Sequence, residues 1–231
     1  DVFLVFGCPV TGSPAHAHGI ERLRHAGVYL VTGEPLSNGR TTLSIVAAAL
    51  DAGIRLVQLR EKDLPRAALT DLAHEIRAIT RAADSLMIVN DDVEIAIAVE
   101  ADGVHLGRGD LPIEDARRLA PDLIIGASAH SADEALEAEQ RGASYVNIGP
   151  IYPTRTKEWS KDFLGPDAVR AVTDAVRIPV TCMGGIKLPH IPGLVAAGAQ
   201  VIAVVTAITA ADDPGAAARE LLTVFREARE G

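Results

Sequence analysis

The chain lacks the features that would place it in several large classes. It has two cysteines in 231 residues, Cys8 and Cys182, far apart and in no C-x-x-C pair. That pattern writes neither a disulfide framework nor a thiolate metal cluster; two free thiols in a reducing cytoplasm are expected. Aromatic residues are scarce, with four Phe, three Tyr and one Trp, which leaves little for base-stacking platforms. The formal charge is −9, from 22 basic and 31 acidic residues. This is the wrong sign for nonspecific binding to nucleic acid or an anionic membrane, so neither is expected as a partner. No apolar run approaches the ~18–20 residues of a membrane span. Residues 1–6 carry no basic stretch and no long apolar core, so no signal peptide is read.

What is present is alternation. Short runs rich in Val, Ile and Leu fall at 28–31, 55–60, 86–89, 103–106, 123–127, 145–149, 180–183 and 201–205. Longer Ala-rich amphipathic stretches follow them, for example 41–52, 65–83, 132–141 and 214–229. Ala52-Gly53, Arg141-Gly142 and Ala197-Gly198 mark helix ends, and Pro65, Pro112 and Pro166 suit first turns. Eight βα units in about 200 residues predict an α/β fold, a (β/α)8 TIM barrel in one domain. A doubly wound open sheet needs fewer strands, and no G-x-G-x-x-G follows the first strand. The domain reading is an N-terminal arm over 1–27 and a barrel over 28–231. The arm holds a short helical run, 20–26, that covers the bottom of the barrel. His16 and His18 with Cys8 offer a metal-like cluster, but an exposed loop is the better reading of that spacing.

Barrel enzymes work at the C-terminal ends of their strands. Strand 2 ends in Gln58, Arg60 and Lys62 on one face, with Val57 and Leu59 on the other. Two cations and an amide suit a phosphate or diphosphate, or else form a surface ion-pair cluster with Glu61 and Asp63. Strand 3 ends in Asn90, Asp91 and Asp92. Such an acidic pair is either a helix N-cap or a metal site, and spacing alone favours the cap. Asp110, after strand 4, adds a carboxylate; with Asp91 it could hold Mg²⁺ bridged to a diphosphate. Strand 5 ends at Ser128 and His130; the first could donate to substrate, and the second is either an acid or base or a structural histidine. After strand 6 a long segment, 150–164, reads as a lid with Thr154, Thr156 and Lys157 as oxyanion partners. Gly184 and Gly185 after strand 7, and Val205 and Thr206 after strand 8, sit where barrels of this kind place a phosphate.

Together the segments Val57-Gln58-Leu59-Arg60-Glu61-Lys62, Val89-Asn90-Asp91-Asp92, Gly103-Val104-His105-Leu106-Gly107 with Asp110, Gly126-Ala127-Ser128-Ala129-His130, 149–157, 184–186 and 202–208 resemble the thiamine-phosphate synthase family. The resemblance runs over about 28–229. It implies coupling of 4-amino-5-hydroxymethyl-2-methylpyrimidine diphosphate with 4-methyl-5-(2-phosphoethyl)thiazole, giving thiamine phosphate and diphosphate. Carried onto this chain, Gln58, Arg60, Lys62, Asn90, Ser128 and Lys157 would hold the pyrimidine diphosphate. Arg60, Lys62, Ser128 and Lys157 would be the catalytic set. Asp91 and Asp110 would bind Mg²⁺, the implied cofactor. Thr154, Thr156, Gly185, Val205 and Thr206 would hold the thiazole phosphate. The implied partners are these small-molecule substrates, with self-association left open and a cytoplasmic location. The chain departs from the family pattern at Arg108, where Gln is frequent, at Gly33, His190 and Cys182, and at Thr206, which keeps a hydroxyl in place of Ser. Alternative readings are a thiazole tautomerase on the same barrel, with His130 as acid or base, and a non-catalytic protein that binds thiamine precursors.

Overall fold

A computed structural model of the chain describes residues 13–154 and 162–231. Eight strands form: β1 Gly27–Val31, β2 Leu56–Leu59, β3 Leu86–Asn90, β4 Gly103–Leu106, β5 Ile124–Ala129, β6 Tyr145–Ile148, β7 Val180–Met183 and β8 Val201–Val204. They pair in parallel in sequence order, and β8 returns to β1, which closes the barrel. The helices are α1 Pro14–Arg24, α2 Thr42–Asp51, α3 Arg66–Ala82, α4 Val93–Ala98, α5 Ile113–Leu119, α6 Ala132–Gln140, α7 Gly165–Ala175, α8 Ile191–Ala196, α9 Thr206–Thr209 and α10 Pro214–Glu230.

Both faces of every strand are covered, which is why the strands read as nearly continuous apolar runs. Alternation sends Val28, Leu30, Val57, Leu59, Met87 and Val89 outward against the helices. Tyr29, Val31, Leu56, Leu86, Ile88, Ile124, Tyr145 and Val201 fill the interior. Interior positions toward the C-terminal mouth turn polar, with Gln58, His105, Asn147 and Thr181 all buried. Gly126 creates the space for the interior ring of Tyr145: a Cβ there would lie 2.1 Å from that ring.

The bottom of the barrel is sealed by α1. Leu23 is fully buried and joins the interior cluster with Leu86 and Ile124. This helix starts earlier than expected and ends sooner. Ser13 caps it through the His16 amide, Pro14 occupies its first turn, and Gly27, at φ +70, turns the chain into β1. His16 and His18 are therefore helical rather than in a loop, and His16 is buried with Nδ1 3.0 Å from the Asp122 carbonyl. Cys8 lies outside the described residues, as does the rest of 1–12.

Most element ends fall within a residue or two of expectation. The instructive difference is β5, which continues to Ala129 and so includes Ser128 in its ladder opposite Asn147. Strand 2 is shorter than expected, so Arg60 and Lys62 stand just beyond it. Pro65 and Pro112 are the residues just before α3 and α5 rather than in their first turns, whereas Pro166 lies in the first turn of α7. Gly53, Gly142 and Gly198 all adopt positive φ after α2, α6 and α8, as helix-ending glycines do.

Candidate active site

A cavity of roughly 430 Å³ opens at the C-terminal mouth of the barrel. It is lined by Gln58, Arg60, Lys62, Asn90, Asp91, Asp110, Ser128, Thr154, Gly185, Val205 and Thr206, residues singled out above from all the later strands. Thr156 and Lys157, and most of the expected lid tip with Trp159, lie outside the described residues.

The β2 edge supplies the cations. Gln58 points into the barrel, and Arg60 and Lys62 follow on the same side. Glu61 turns the opposite way and is buried; it accepts Thr42 Oγ1 at 2.6 Å and the Glu34 amide at 2.8 Å. It ties down the neighbouring loops instead of neutralising the cluster, so the surface ion-pair reading is not what is found. Among the described residues no carboxylate pairs with Arg60. An uncompensated guanidinium in a cleft is a site for an anion.

The two acids after β3 divide their work. Asp92 caps α4, accepting the Ile95 amide at 2.8 Å, and pairs with Arg66. Burial pushes its carboxyl up, but the Arg66 hydrogen bond and the Ile95 amide outweigh this and hold it below the usual range. Asp91 turns into the cavity at φ +65, a left-handed conformation that few residue types tolerate. Its amide donates to the His105 carbonyl at 2.8 Å, which holds it there. Burial, then the hydrogen bond and charge of Asp110, raise the Asp91 pKa, while Lys62 at 3.4 Å opposes them. Asp110 is fixed by the Gly107 amide at 2.6 Å. Among the described residues no group of three or more His, Cys, Asp or Glu is placed to hold a metal. The arrangement is instead a carboxylate pair, open to ligands from outside the protein.

Arg108 is held at the rim by Glu134, 2.6 Å away, and the other Glu134 oxygen meets His130 Nδ1 at 3.1 Å. The Arg108 charge is therefore matched locally rather than set upon Asp91 and Asp110.

On the opposite wall, the chain after β6 is pinned at both ends. Ile151 and Tyr152 donate to the Met183 and Gly184 carbonyls at 2.9 and 3.0 Å. On the return leg, Leu164 and Gly165 donate to the Pro150 and Ile151 carbonyls at 3.1 and 3.0 Å. Gly185 has φ +62, and a Cβ there would lie 2.3 Å from the Pro153 carbonyl, so only glycine fits this close approach. Tyr152 stacks on His190 with centroids 3.9 Å apart.

Beneath the charged groups lies a layer whose role the sequence reading left unassigned. Tyr29, Tyr145 and His105 are buried and hydrogen-bonded in series between Gln58 and Ser128. Burial pushes the His105 pKa down to about 4 and both tyrosines up, so the histidine is neutral and the phenols keep their protons. Their signal in the sequence is parity: each falls on the inward face of its strand, in step with Gln58 or Ser128.

Fold and cavity together define the class: a closed (β/α)8 barrel with a charged cleft at its C-terminal mouth. Comparison with known proteins gives the particular family. The family model described as thiamine monophosphate synthase matches residues 28–208, and the chain belongs to that family. The thiamine-phosphate synthase of Moorella thermoacetica is 44% identical over 203 residues, covering 87% of this chain and 97% of its own length. That of Haloquadratum walsbyi is 47% identical over 196 residues, covering 84% and 88%. The solved thiamine phosphate pyrophosphorylase from Pyrococcus furiosus superposes with a TM-score of 0.83 at 37% identity, covering 89% of this chain and 98% of that one.

Proposed function

We propose that the protein is a thiamine-phosphate synthase, a transferase that joins the pyrimidine diphosphate and thiazole phosphate named above. Two substrates, two anion sites and one cavity are what the coupling requires. The observation that carries the reading is the meeting of Arg60 and Lys62 with the facing carboxylates Asp91 and Asp110 in one cleft. A tautomerase acting on the thiazole alone has no use for that set.

Asp91 and Asp110 fit Mg²⁺. Their mutual repulsion is a local deficit of positive charge, and carboxylate oxygens are the ligands this ion favours. When bound, Mg²⁺ would neutralise charge on the departing diphosphate. In the reaction the bond from the pyrimidine methylene carbon to the diphosphate oxygen breaks, and a bond from the thiazole nitrogen to that carbon forms. The aminopyrimidine can carry the positive charge that develops on the methylene, so the barrier is mostly charge separation. Arg60 and Lys62 sit where they can stabilise the leaving oxygens, with Lys157 carried over from the motif. Gln58, Asn90 and Ser128 orient the pyrimidine. Gly185, Val205, Thr154 and Thr206, with Thr156 from the motif, take the thiazole phosphate. No covalent nucleophile is needed. A cytoplasmic location suits the free, buried thiol of Cys182.

The test is a two-substrate assay with Mg²⁺ in one tube and EDTA in the other. Thiamine phosphate formed only with Mg²⁺ is the expected result. Product in both tubes would remove the metal from the proposal. No product in either would overturn the synthase reading and move the weight to tautomerase chemistry at His130.

A further inference from the structure

A hydrogen-bonded row crosses the barrel under the cavity. Gln58 Nε2 donates to Tyr29 Oη at 2.7 Å. Tyr29 Oη lies 3.0 Å from Tyr145 Oη, and Tyr145 Oη lies 3.0 Å from His105 Nδ1. His105 Nε2 lies 3.0 Å from Ser128 Oγ. The five residues belong to β2, β1, β6, β4 and β5, and the three inner members are buried.

With Gln58 Nε2 turned to Tyr29, proton counting gives the row a direction. Tyr29 Oη accepts a hydrogen bond from Gln58, so its own hydroxyl donates to Tyr145, its other hydrogen-bond partner. Turning it elsewhere would leave a buried donor unpaired, at about 1–3 kcal/mol. Tyr145, having accepted, donates to His105 Nδ1. A neutral imidazole then carries its proton on Nε2 and donates to Ser128. The Ser128 proton is left for the cavity that Ser128 lines. At the other end Gln58 lines the same cavity, and its side chain makes no second hydrogen bond among the described residues. Its Oε1 is therefore an acceptor for a ligand. Flipping the amide alone would set Oε1 against a Tyr29 oxygen with no proton for it, so the two ends of the row are tied to opposite polarity and the His105 tautomer reads which end accepts. The whole row would have to reverse at once.

We propose that Tyr29, Tyr145 and His105 are positioning residues that fix the hydrogen-bonding polarity of the pocket, an acceptor at Gln58 and a donor at Ser128, and that this polarity selects a pyrimidine bearing an exocyclic amine over its oxo counterpart. An amine can donate to Gln58 Oε1, and an oxo group cannot. The selectivity rests on the function proposed above; the polarity does not.

Two readouts test it. The first is ¹⁵N NMR of the full chain, with His105 assigned by comparison with His105→Asn. The Nε2–H tautomer is expected, and an Nδ1–H tautomer would overturn the proposal whatever the enzyme's activity. The second is the ratio of kcat/KM for the aminopyrimidine diphosphate over its 4-oxo analogue, with thiazole phosphate and Mg²⁺ held constant. Tyr145→Phe and Tyr29→Phe keep the rings and break the row, and each should lower the ratio at least about tenfold. Loss of packing alone would slow both pyrimidines together and leave the ratio unchanged. Folded Phe variants with the wild-type ratio would overturn the proposal. Wild-type protein that couples neither pyrimidine would refute the synthase reading and the selectivity with it, while the tautomer still decides the polarity.

Discussion

Replacing Asp91 with Asn should make the metal-free protein more stable and the enzyme inactive. Asp91 faces Asp110, and both burial and that neighbour raise its pKa. Like charges about 4 Å apart repel by about 4 kcal/mol at an effective dielectric of 20. The Asp91 side chain is 36% exposed and Lys62 stands 3.4 Å away, so solvent and the ammonium remove most of this. A net penalty of about 1 kcal/mol remains, which in a domain of this size is about 2–4 °C in Tm. Asn keeps the left-handed backbone at φ +65, whereas Ala would add strain of its own. A carboxyl with a raised folded pKa holds its proton to higher pH than the unfolded chain does. The penalty is thus present above the folded pKa and gone below the unfolded one. Asp91→Asn should therefore melt higher than wild type at pH 7 in EDTA, with the gap closing as the pH falls through the carboxylate range. Adding Mg²⁺ should raise the wild-type Tm and leave the variant unmoved. A variant that melts at or below wild type at pH 7 would refute the repulsion, and an equal Mg²⁺ response would refute the metal role.

Gly126→Ala would set a methyl group 2.1 Å from the Tyr145 ring, and should cost about 3 kcal/mol in urea unfolding. An unchanged midpoint would show that the ring moves freely. Thr206→Val removes a cavity hydroxyl and should raise the KM for thiazole phosphate about tenfold with little change in kcat; an unchanged KM would take Thr206 out of the phosphate site. Burial pushes the Cys182 thiol up to about 12, so in a Cys8→Ser background it should resist a thiol reagent at pH 8 until the protein is unfolded. Rapid labelling of the folded protein would contradict its burial.

The barrel was legible because strands covered on both faces leave unbroken apolar runs, and eight of them at βα spacing allow few other folds. Less legible were positions where one residue step changes everything. Asp91 and Asp92 are chemically alike, yet one lines the cavity and the other caps α4. The backbone that separates them, a positive φ at Asp91, leaves no mark in composition. Ser128 looked like the start of a loop because Ser and Ala are weak strand formers, but pairing with β6 carries β5 through them. Tyr29 and Tyr145 fall in the expected strands with no role assigned from sequence; their hydroxyls matter only once the closed barrel brings them together. The short helices α4, α8 and α9 run too few turns to show a period.

The seam between β1 and β8 pairs Gly27 with Val201, from opposite ends of the sequence, while every other strand pairs with its immediate predecessor. Seven of the eight joints can form as each strand follows its predecessor from the ribosome, and the eighth must wait for β8. Until then the nascent sheet has two bare edges, each able to pair with another chain. The helix that packs against β1 beside the joint, α10, follows β8 in the chain and is made after it. Removing α10 should thus be felt first as aggregation during synthesis, before any effect on the finished cavity.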